Sequence, residues 1–135
     1  MKLAIRELKG VSAELGAKLK QNGIGNSDHL LKAALTPAAR QELAKAMGVE
    51  APVILELANR ADLARVKGIG EVFSDLLEQA GVDSVKELSN RRPDHLYAKL
   101  VEVNTQQGLA GRTPNLKAVE NWVAQAQQLP KTLEY

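Results

Sequence analysis

The chain has 135 residues, of which 44% are hydrophobic, with no cysteine and a formal net charge of +2. This length and apolar content predict a folded protein of one domain or two small halves. The lack of thiols excludes disulfides and thiolate-bound metal, and a charge this close to neutral argues against an avid nucleic-acid binder.

The basic residues are unevenly distributed. Residues 1–60 contain nine Lys or Arg and six Asp or Glu, whereas residues 61–135 contain nine and ten, so the halves carry +3 and −1. We therefore expect any attraction for polyanions in the first half. The charged start MKLAIRELKG lacks the apolar core of a secretory signal, and no long uncharged apolar run occurs, so we expect a cytoplasmic protein without a membrane partner.

Apolar residues recur at helical spacing, and alternating strand patterns are nearly absent. In the first half, Gly23 is predicted to end a helix in the left-handed conformation, and Ser27 to cap the next helix. Thr36 followed by Pro37 predicts the start of another helix, which Gly48 ends. The sequence predicts an all-α fold of about ten short helices.

The second half carries similar boundary signals. Pro52 and Pro93 are predicted to open helices, Gly81 to end one, and Ser84 to cap one. A loop is expected at residues 105–112. The last helix is expected to start at Thr113 and Pro114, and its apolar stripe to cover the core through Val119, Trp122, Val123 and Ala126.

The chain contains an internal repeat. A shift of 58 positions aligns Lys9 to Leu30 with Lys67 to Leu88 without a gap, and six of the 22 pairs are identical, including Gly10 with Gly68 and Gly23 with Gly81. Average composition would give about one or two identities. The halves therefore look like two copies of one helical unit.

Each copy contains a glycine turn between two predicted helices, Gly-Val-Ser at residues 10–12 and Gly-Ile-Gly at residues 68–70. Backbone N–H groups at such a turn and in the first turn of the next helix lack intrahelical partners, and the helix dipole adds positive charge there. A phosphate can dock at these groups. The residues expected to contact it are Lys9, Gly10, Val11, Ser12, Lys18, Lys20, Lys67, Gly68, Ile69 and Gly70.

This pattern resembles the helix-hairpin-helix motif. Its apolar and glycine positions are matched by Leu63, Val66, Gly68, Ile69, Gly70 and Leu77, and in the first copy by Ile5, Leu8, Gly10, Val11 and Leu19. With GVDSVKEL, RRPDHLYAKL and PNLKAVENWVAQAQQLP, the chain resembles an uncharacterised bacterial tandem family, a domain of unknown function labelled predicted flap-endonuclease-like helix-three-turn-helix protein. The resemblance implies two SAM-like helix-hairpin-helix units, residues 1–58 and 59–104, followed by a loop and C-terminal packing helix, residues 105–135.

The sequence departs from the DNA-binding form of this motif. Relatives that bind DNA commonly carry a lysine two residues after the second glycine, and paired hairpins can grip both strands without reading bases. Here Glu14 and Val72 occupy the lysine positions, and Ser12 replaces one glycine. The helix after the second turn also carries the acids Glu71, Asp75 and Glu78.

Catalysis is not expected. Flap-endonuclease chemistry needs clustered carboxylates that hold divalent metals, whereas the acids here are predicted to be scattered on solvated helix faces, and His29 and His95 lie far apart in the sequence. We expect no enzyme activity, no metal and no cofactor, although relatives of the motif hold a monovalent cation on hairpin carbonyls, and those near Val66 and Gly68 could supply such ligands.

Two functional hypotheses remain open. The first is weak, sequence-independent binding of the DNA or RNA backbone through the two turns, and the second is a protein interaction or homodimerisation module whose turns serve helix packing. Neither hypothesis involves a small-molecule substrate.

Overall fold

The computed structural model describes residues 2–135, and these residues are largely helical. A single 3-10 turn, Ile5–Glu7, precedes the eight α-helices α1 Ala13–Gln21, α2 Ser27–Ala33, α3 Pro37–Met47, α4 Ala51–Leu63, α5 Glu71–Gln79, α6 Val85–Ser89, α7 Pro93–Gln107 and α8 Leu116–Gln128. The described residues contain no strand, and Ala4 and Asn26 form an isolated bridge. The predicted all-α class is confirmed, with nine helical segments in the described residues where about ten short helices were predicted.

Several predicted helix boundaries are confirmed. Thr36 caps α3, whose first residue is Pro37, and Gly48 ends it with φ of 72°. Ser84 caps α6. Pro93 is the first residue of α7, whereas Pro52 is the second residue of α4.

The predicted cap at Ser27 is wrong. Asn26 caps α2, because its side chain accepts a hydrogen bond from the N–H of His29 at 2.9 Å. Ser27 is buried, and its hydroxyl accepts from the N–H of Leu3 at 2.9 Å. Two neighbouring residues can each accept such a bond, and the long-range contact with Leu3 decides which one caps the helix.

The predicted loop and last helix start are shifted. Residues 105–107 belong to α7, which ends at Gly108 with φ of 62°. The last helix starts after Asn115, whose side chain accepts from the N–H of Ala118 at 2.8 Å, and not at Thr113 and Pro114. Asn115 lies immediately after the proline, so the helix begins two residues later than the Thr-Pro pattern predicts.

Helix α4 lies between the two halves of the molecule. It packs Leu57 and Ala61 into a core of the first half, and Leu63 into a core formed mainly by α5 to α8. Every residue from 57 to 63 is buried, so the C-terminal part of this helix is enclosed on all sides. The division expected between residues 58 and 59 therefore falls inside one continuous helix.

The aligned copies share backbone conformation around their glycines. Gly10 and Gly68 have φ of 98° and 99°, and Gly23 and Gly81 have φ of 80° and 91°. The helix after each turn begins and ends at equivalent positions, Ala13–Gln21 and Glu71–Gln79. The copies differ before the turn, where a 3-10 turn stands in the first and the long α4 in the second. Within residues 2–135, no helix is long and apolar enough to cross a membrane.

Candidate functional site

The first glycine turn, residues 8–12, is tight and exposed. The N–H of Val11 donates to the carbonyl of Leu8 at 3.2 Å, and the left-handed Gly10 makes the chain reverse. Val11 is half-buried against the first-half core, as its predicted anchoring role requires. Ser12 caps α1, because its hydroxyl accepts from the N–H of Leu15 at 3.1 Å.

Five backbone amides at this turn have no acceptor. The N–H groups of Lys9, Gly10, Ser12, Ala13 and Glu14 donate no hydrogen bond within residues 2–135. Unsatisfied amides at a helix start are an anion-binding arrangement, because the helix dipole adds partial positive charge at the same place. This cluster of amides is the strongest ligand-binding feature of the turn.

The basic residues near the first turn fall into two groups. Lys9 and Lys18 are paired, since their ammonium groups lie 3.4 Å from Asp75 and 3.6 Å from Glu14. A second group is exposed and forms no ion pair in the described part of the chain. It consists of Lys2, Arg6 and Lys20. Arg6 lies against α1, because its Cγ is 3.4 Å from the position a Cβ would take on Gly16, whereas Lys20 lies in the last turn of α1, away from the free amides.

The second glycine turn, residues 66–70, has the same backbone shape. The N–H of Ile69 donates to the carbonyl of Val66 at 3.1 Å, and Ile69 is fully buried, as predicted for the anchor of the turn. Gly70 precedes α5 without a side-chain cap, and Lys67 is exposed. The exposed side chains of Glu71 and Val72 flank the first amides of α5, where Glu71 is unfavourable for an anion, as Glu14 is in α1.

Helix α8 covers part of the second turn. The N–H of Lys67 donates to Oε1 of Gln125 at 2.9 Å, and Nε2 of Gln125 donates to the carbonyl of Lys67 at 3.1 Å. The Nε1 atom of Trp122 lies 2.8 Å from the position a Cβ would take on Gly68. Sequence reasoning placed Trp122 in the core but missed Gln125, whose partner lies 58 residues away. The second turn is thus used for internal packing.

The acids after the second turn do not all face solvent. Asp75 is buried and accepts from Nη2 of Arg60 at 3.0 Å, and Arg60 also contacts Glu56 at 2.9 Å and Glu78 at 3.0 Å. Asp62 is buried as well, and accepts from the N–H of Val85 at 2.8 Å. The prediction that the acids lie scattered on solvated faces is therefore wrong for Asp62 and Asp75. Asp75 pairs with Arg60 on α4, a contact that local sequence patterns do not show, whereas Asp62 pairs with Arg65 three residues later.

Burial raises the pKa of Glu78 to about 7, with repulsion from Glu56 and Asp75 adding to the effect and Arg60 opposing it. Its Oε2 lies within ion-pair distance of Arg60 but makes no hydrogen bond, and Nε of Arg60 also has no partner in the described chain. When Glu78 is ionised, Arg60 therefore compensates its negative charge only in part. The groups that face it are Arg60, Glu56, Asp75 and Asp83.

This raised pKa predicts a pH dependence of stability. The folded state holds a proton on Glu78 more tightly than the unfolded chain, in which the pKa of this carboxyl has its ordinary value of 4.5. The stabilisation that results is therefore fully present below about pH 4.5 and is lost as the pH rises to about 7. Glu78→Gln is expected to reduce the fall in unfolding free energy between pH 5 and pH 8, measured by urea denaturation at each pH. Glu42→Gln is the control, because Glu42 is an exposed carboxylate on α3 that does not face Glu78. An unchanged fall in Glu78→Gln would contradict the assignment.

Neither histidine joins a cluster of acids. Nδ1 of His29 accepts from the N–H of Gly25 at 3.2 Å, and His95 lies 3.9 Å from the exposed Asp94. Across residues 2–135, no group of three or more His, Cys, Asp or Glu side chains is arranged to hold a metal ion.

A family model described as a domain of unknown function (DUF4332) matches residues 9–129. The matched range contains the glycines of both turns and the eight α-helices of the described residues. No curated protein and no solved structure matches the chain.

Proposed function

We propose a function from the geometry of the site, because the chain belongs to the DUF4332 family and the description of this family states no function. The proposal is sequence-independent binding of nucleic-acid phosphates at the first glycine turn, without catalysis. The observation that carries it is the group of five N–H donors at Lys9, Gly10, Ser12, Ala13 and Glu14 that have no acceptor within residues 2–135 and, unlike the second turn, are not covered by α8. A backbone phosphate oxygen supplies the missing acceptor.

The surrounding charge supports the first turn over the second. Lys2, Arg6 and Lys20 are exposed and have no ionic partner in the described residues, so they are available to a polyanion. At the second turn, Gln125 occupies the N–H and the carbonyl of Lys67, whereas the first turn of each following helix carries one acid, Glu14 in α1 and Glu71 in α5, so these acids do not separate the two turns. We therefore replace the hypothesis of two equivalent hairpins by one in which the first binds and the second packs.

A site of this size is expected to bind weakly. If the site neutralises two or three phosphates, the affinity for DNA is expected to fall about 10- to 40-fold between 50 and 200 mM salt. The measurement is a fluorescence anisotropy titration of labelled duplex and single-stranded DNA at the two salt concentrations. Arg6→Glu is expected to weaken binding at low salt, whereas the matched reversal Lys117→Glu, on exposed α8 surface, is expected to leave it nearly unchanged.

Lys9 is a poor choice for this test. Its ammonium group lies 3.4 Å from buried Asp75, so charge reversal would disturb the fold as well as the site. Equal weakening by Arg6→Glu and Lys117→Glu would indicate general charge attraction and contradict a site at the first turn.

The backbone amides can be tested separately from the side chains. Ala13→Pro deletes one free N–H at the first position of α1, where proline is well tolerated, and Ser12 already has the extended conformation that precedes proline (φ −73°, ψ 166°). We expect about tenfold weaker DNA binding, since a charge-assisted hydrogen bond is lost, with little change in Tm. Leu116→Pro makes the equivalent change at the start of α8 and should not affect binding. Unchanged affinity in Ala13→Pro would remove this amide from the site.

The alternative is a protein interaction or homodimerisation module that has lost phosphate binding. The packing of Trp122 and Gln125 against the second turn favours it, because that turn has an internal role without any ligand. Absence of DNA and RNA binding at 50 mM salt by the folded protein would favour this alternative.

A further inference from the structure

The segment after α8, residues 129–135 and called the tail below, crosses from the second half of the molecule to the first. It leaves α8 in an extended conformation, with φ of −81° and ψ of 142° at Leu129. Near its start, Nη2 of Arg65 donates to the carbonyl of Pro130 at 2.5 Å. Its far end lies against α3 and α4, where Arg40 and Asn59 contact it.

The tail is held through its backbone at Glu134. The N–H of Glu134 donates to the carbonyl of Leu35 at 2.9 Å, and its carbonyl accepts from Nη2 of Arg40 at 2.6 Å. Arg40 is only 4% exposed, and its Nη1 donates to the carbonyls of Ala34 and Leu35 at 2.9 and 3.2 Å. The guanidinium is therefore fixed by its own half of the molecule while it presents a donor to the tail.

Alternate tail side chains contact the first half. Leu133 packs against two apolar clusters of that half, and the hydroxyl of Tyr135 donates to Oδ1 of the buried Asn59 at 2.7 Å. Backbone hydrogen bonds combined with contacts from every second side chain are the way proteins recognise extended peptides. The first half thus carries the features of a peptide site, filled by the tail of the same chain.

The tail is attached at separate points. A cavity of about 430 Å³ lies between Thr132 and residues of α2, with Leu31 and Lys32 in its lining. Apart from half-buried Leu129 and Leu133, the tail residues are exposed. A separate groove of about 400 Å³ lies beside Tyr135 along Pro37 and Leu55. An exposed strap of this kind opens at low cost, because little apolar surface is lost on release.

We propose that one face of the first half binds extended peptides that carry a leucine and a tyrosine two residues apart. This face consists of Arg40, Asn59 and the apolar clusters against which Leu133 packs. When the peptide comes from another molecule, it is the tail of a second copy of this chain. The tail makes all of the contacts described above, so a copy whose own tail has detached can form the same contacts with the tail of another molecule. Exchange of an identical segment is a low-cost route to a dimer. This inference does not depend on nucleic-acid binding.

The test uses a fluorescent peptide of residues 128–135 and the chain with Leu133→Ser and Tyr135→Ala, which disables its own tail and keeps the site. We expect this variant to bind the peptide, and the wild type to bind it poorly, because its own tail competes at an effective concentration of about millimolar. Adding Arg40→Gln should weaken peptide binding at least about tenfold. A peptide with the same Ser and Ala replacements is the control.

Tail exchange between copies is tested by mixing. The chain with the disabled tail keeps a working site, and the chain with Arg40→Gln alone keeps a working tail, so a heterodimer in sedimentation velocity is expected in the mixture but not in either sample. If the double variant is unfolded by circular dichroism, Tyr135→Ala alone replaces it. No peptide binding by the folded variant, or binding that Arg40→Gln does not weaken, would overturn the peptide site, and a mixture that stays monomeric would overturn exchange.

Discussion

Arg60→Ala is expected to lower the free energy of unfolding by about 3–5 kcal/mol, the range for breaking a buried ion pair by removing one partner. Arg60 is 4% exposed and lies 2.9–3.0 Å from oxygens of Glu56, Asp75 and Glu78. Without it, Asp75 retains only Lys9, whose ammonium group is 3.4 Å away and more than half exposed. The uncompensated charge would lie where α4 packs against α5. Urea denaturation at pH 7 measures the loss.

An exposed ion pair provides the control for this prediction. Arg92 contacts Asp94 at 3.1 Å, with side-chain exposures of 71% and 56%. Arg92→Ala should therefore cost less than about 1 kcal/mol. A similarly small loss for Arg60→Ala would mean that water enters and solvates the carboxylates, and that the arginine does not hold α4 to α5.

Gly68→Ala is expected to cost about 2–5 kcal/mol. Its φ of 99° strains any residue with a Cβ, which contributes about 1–2 kcal/mol. The new Cβ would also lie 2.8 Å from Nε1 of Trp122, so the indole or α8 must move, at a further cost of about 1–3 kcal/mol. The measurement is again the free energy of unfolding in urea.

The aligned glycine in the first copy separates these two effects. Gly10 has φ of 98°, but a Cβ there would meet Cδ2 of Leu57 at 3.3 Å, and that methyl belongs to a flexible side chain. Gly10→Ala should therefore show mainly the conformational cost of about 1–2 kcal/mol. Equal losses in the two variants would contradict close packing of Trp122 on the second turn.

The helices and glycine turns were predictable because their signals are local. Left-handed glycines at Gly10, Gly23, Gly68 and Gly81 follow from the requirement for positive φ, and the shift of 58 residues detected their equivalence. Cap choice was less predictable. Asn26 and Ser27 are equally suited to cap α2 locally, and a hydrogen bond to the distant Leu3 decides between them.

The internal roles of the charged and amide side chains were not predictable in this way. Gln125 and Lys67 lie 58 residues apart, and Arg60 meets Asp75 only because α4 packs on α5. In a helical sequence, an acid that pairs inside the fold looks the same as one that faces solvent. The amides of Gly68, Gly70, Glu71 and Val72 also donate no hydrogen bond in the described residues, so the two turns differ in the cover that α8 gives the second turn, and this difference required the tertiary structure.

The most direct test of the account is to follow backbone amide resonances of the protein by ¹⁵N–¹H NMR during titration with a short DNA duplex at about 50 mM salt. The account predicts the largest shifts at Gly10, Ser12, Ala13 and Glu14, with small shifts at Gly68 and the first residues of α5. Shifts that are largest at the second turn, or absent at the first turn, would contradict the assignment of phosphate binding to the first turn.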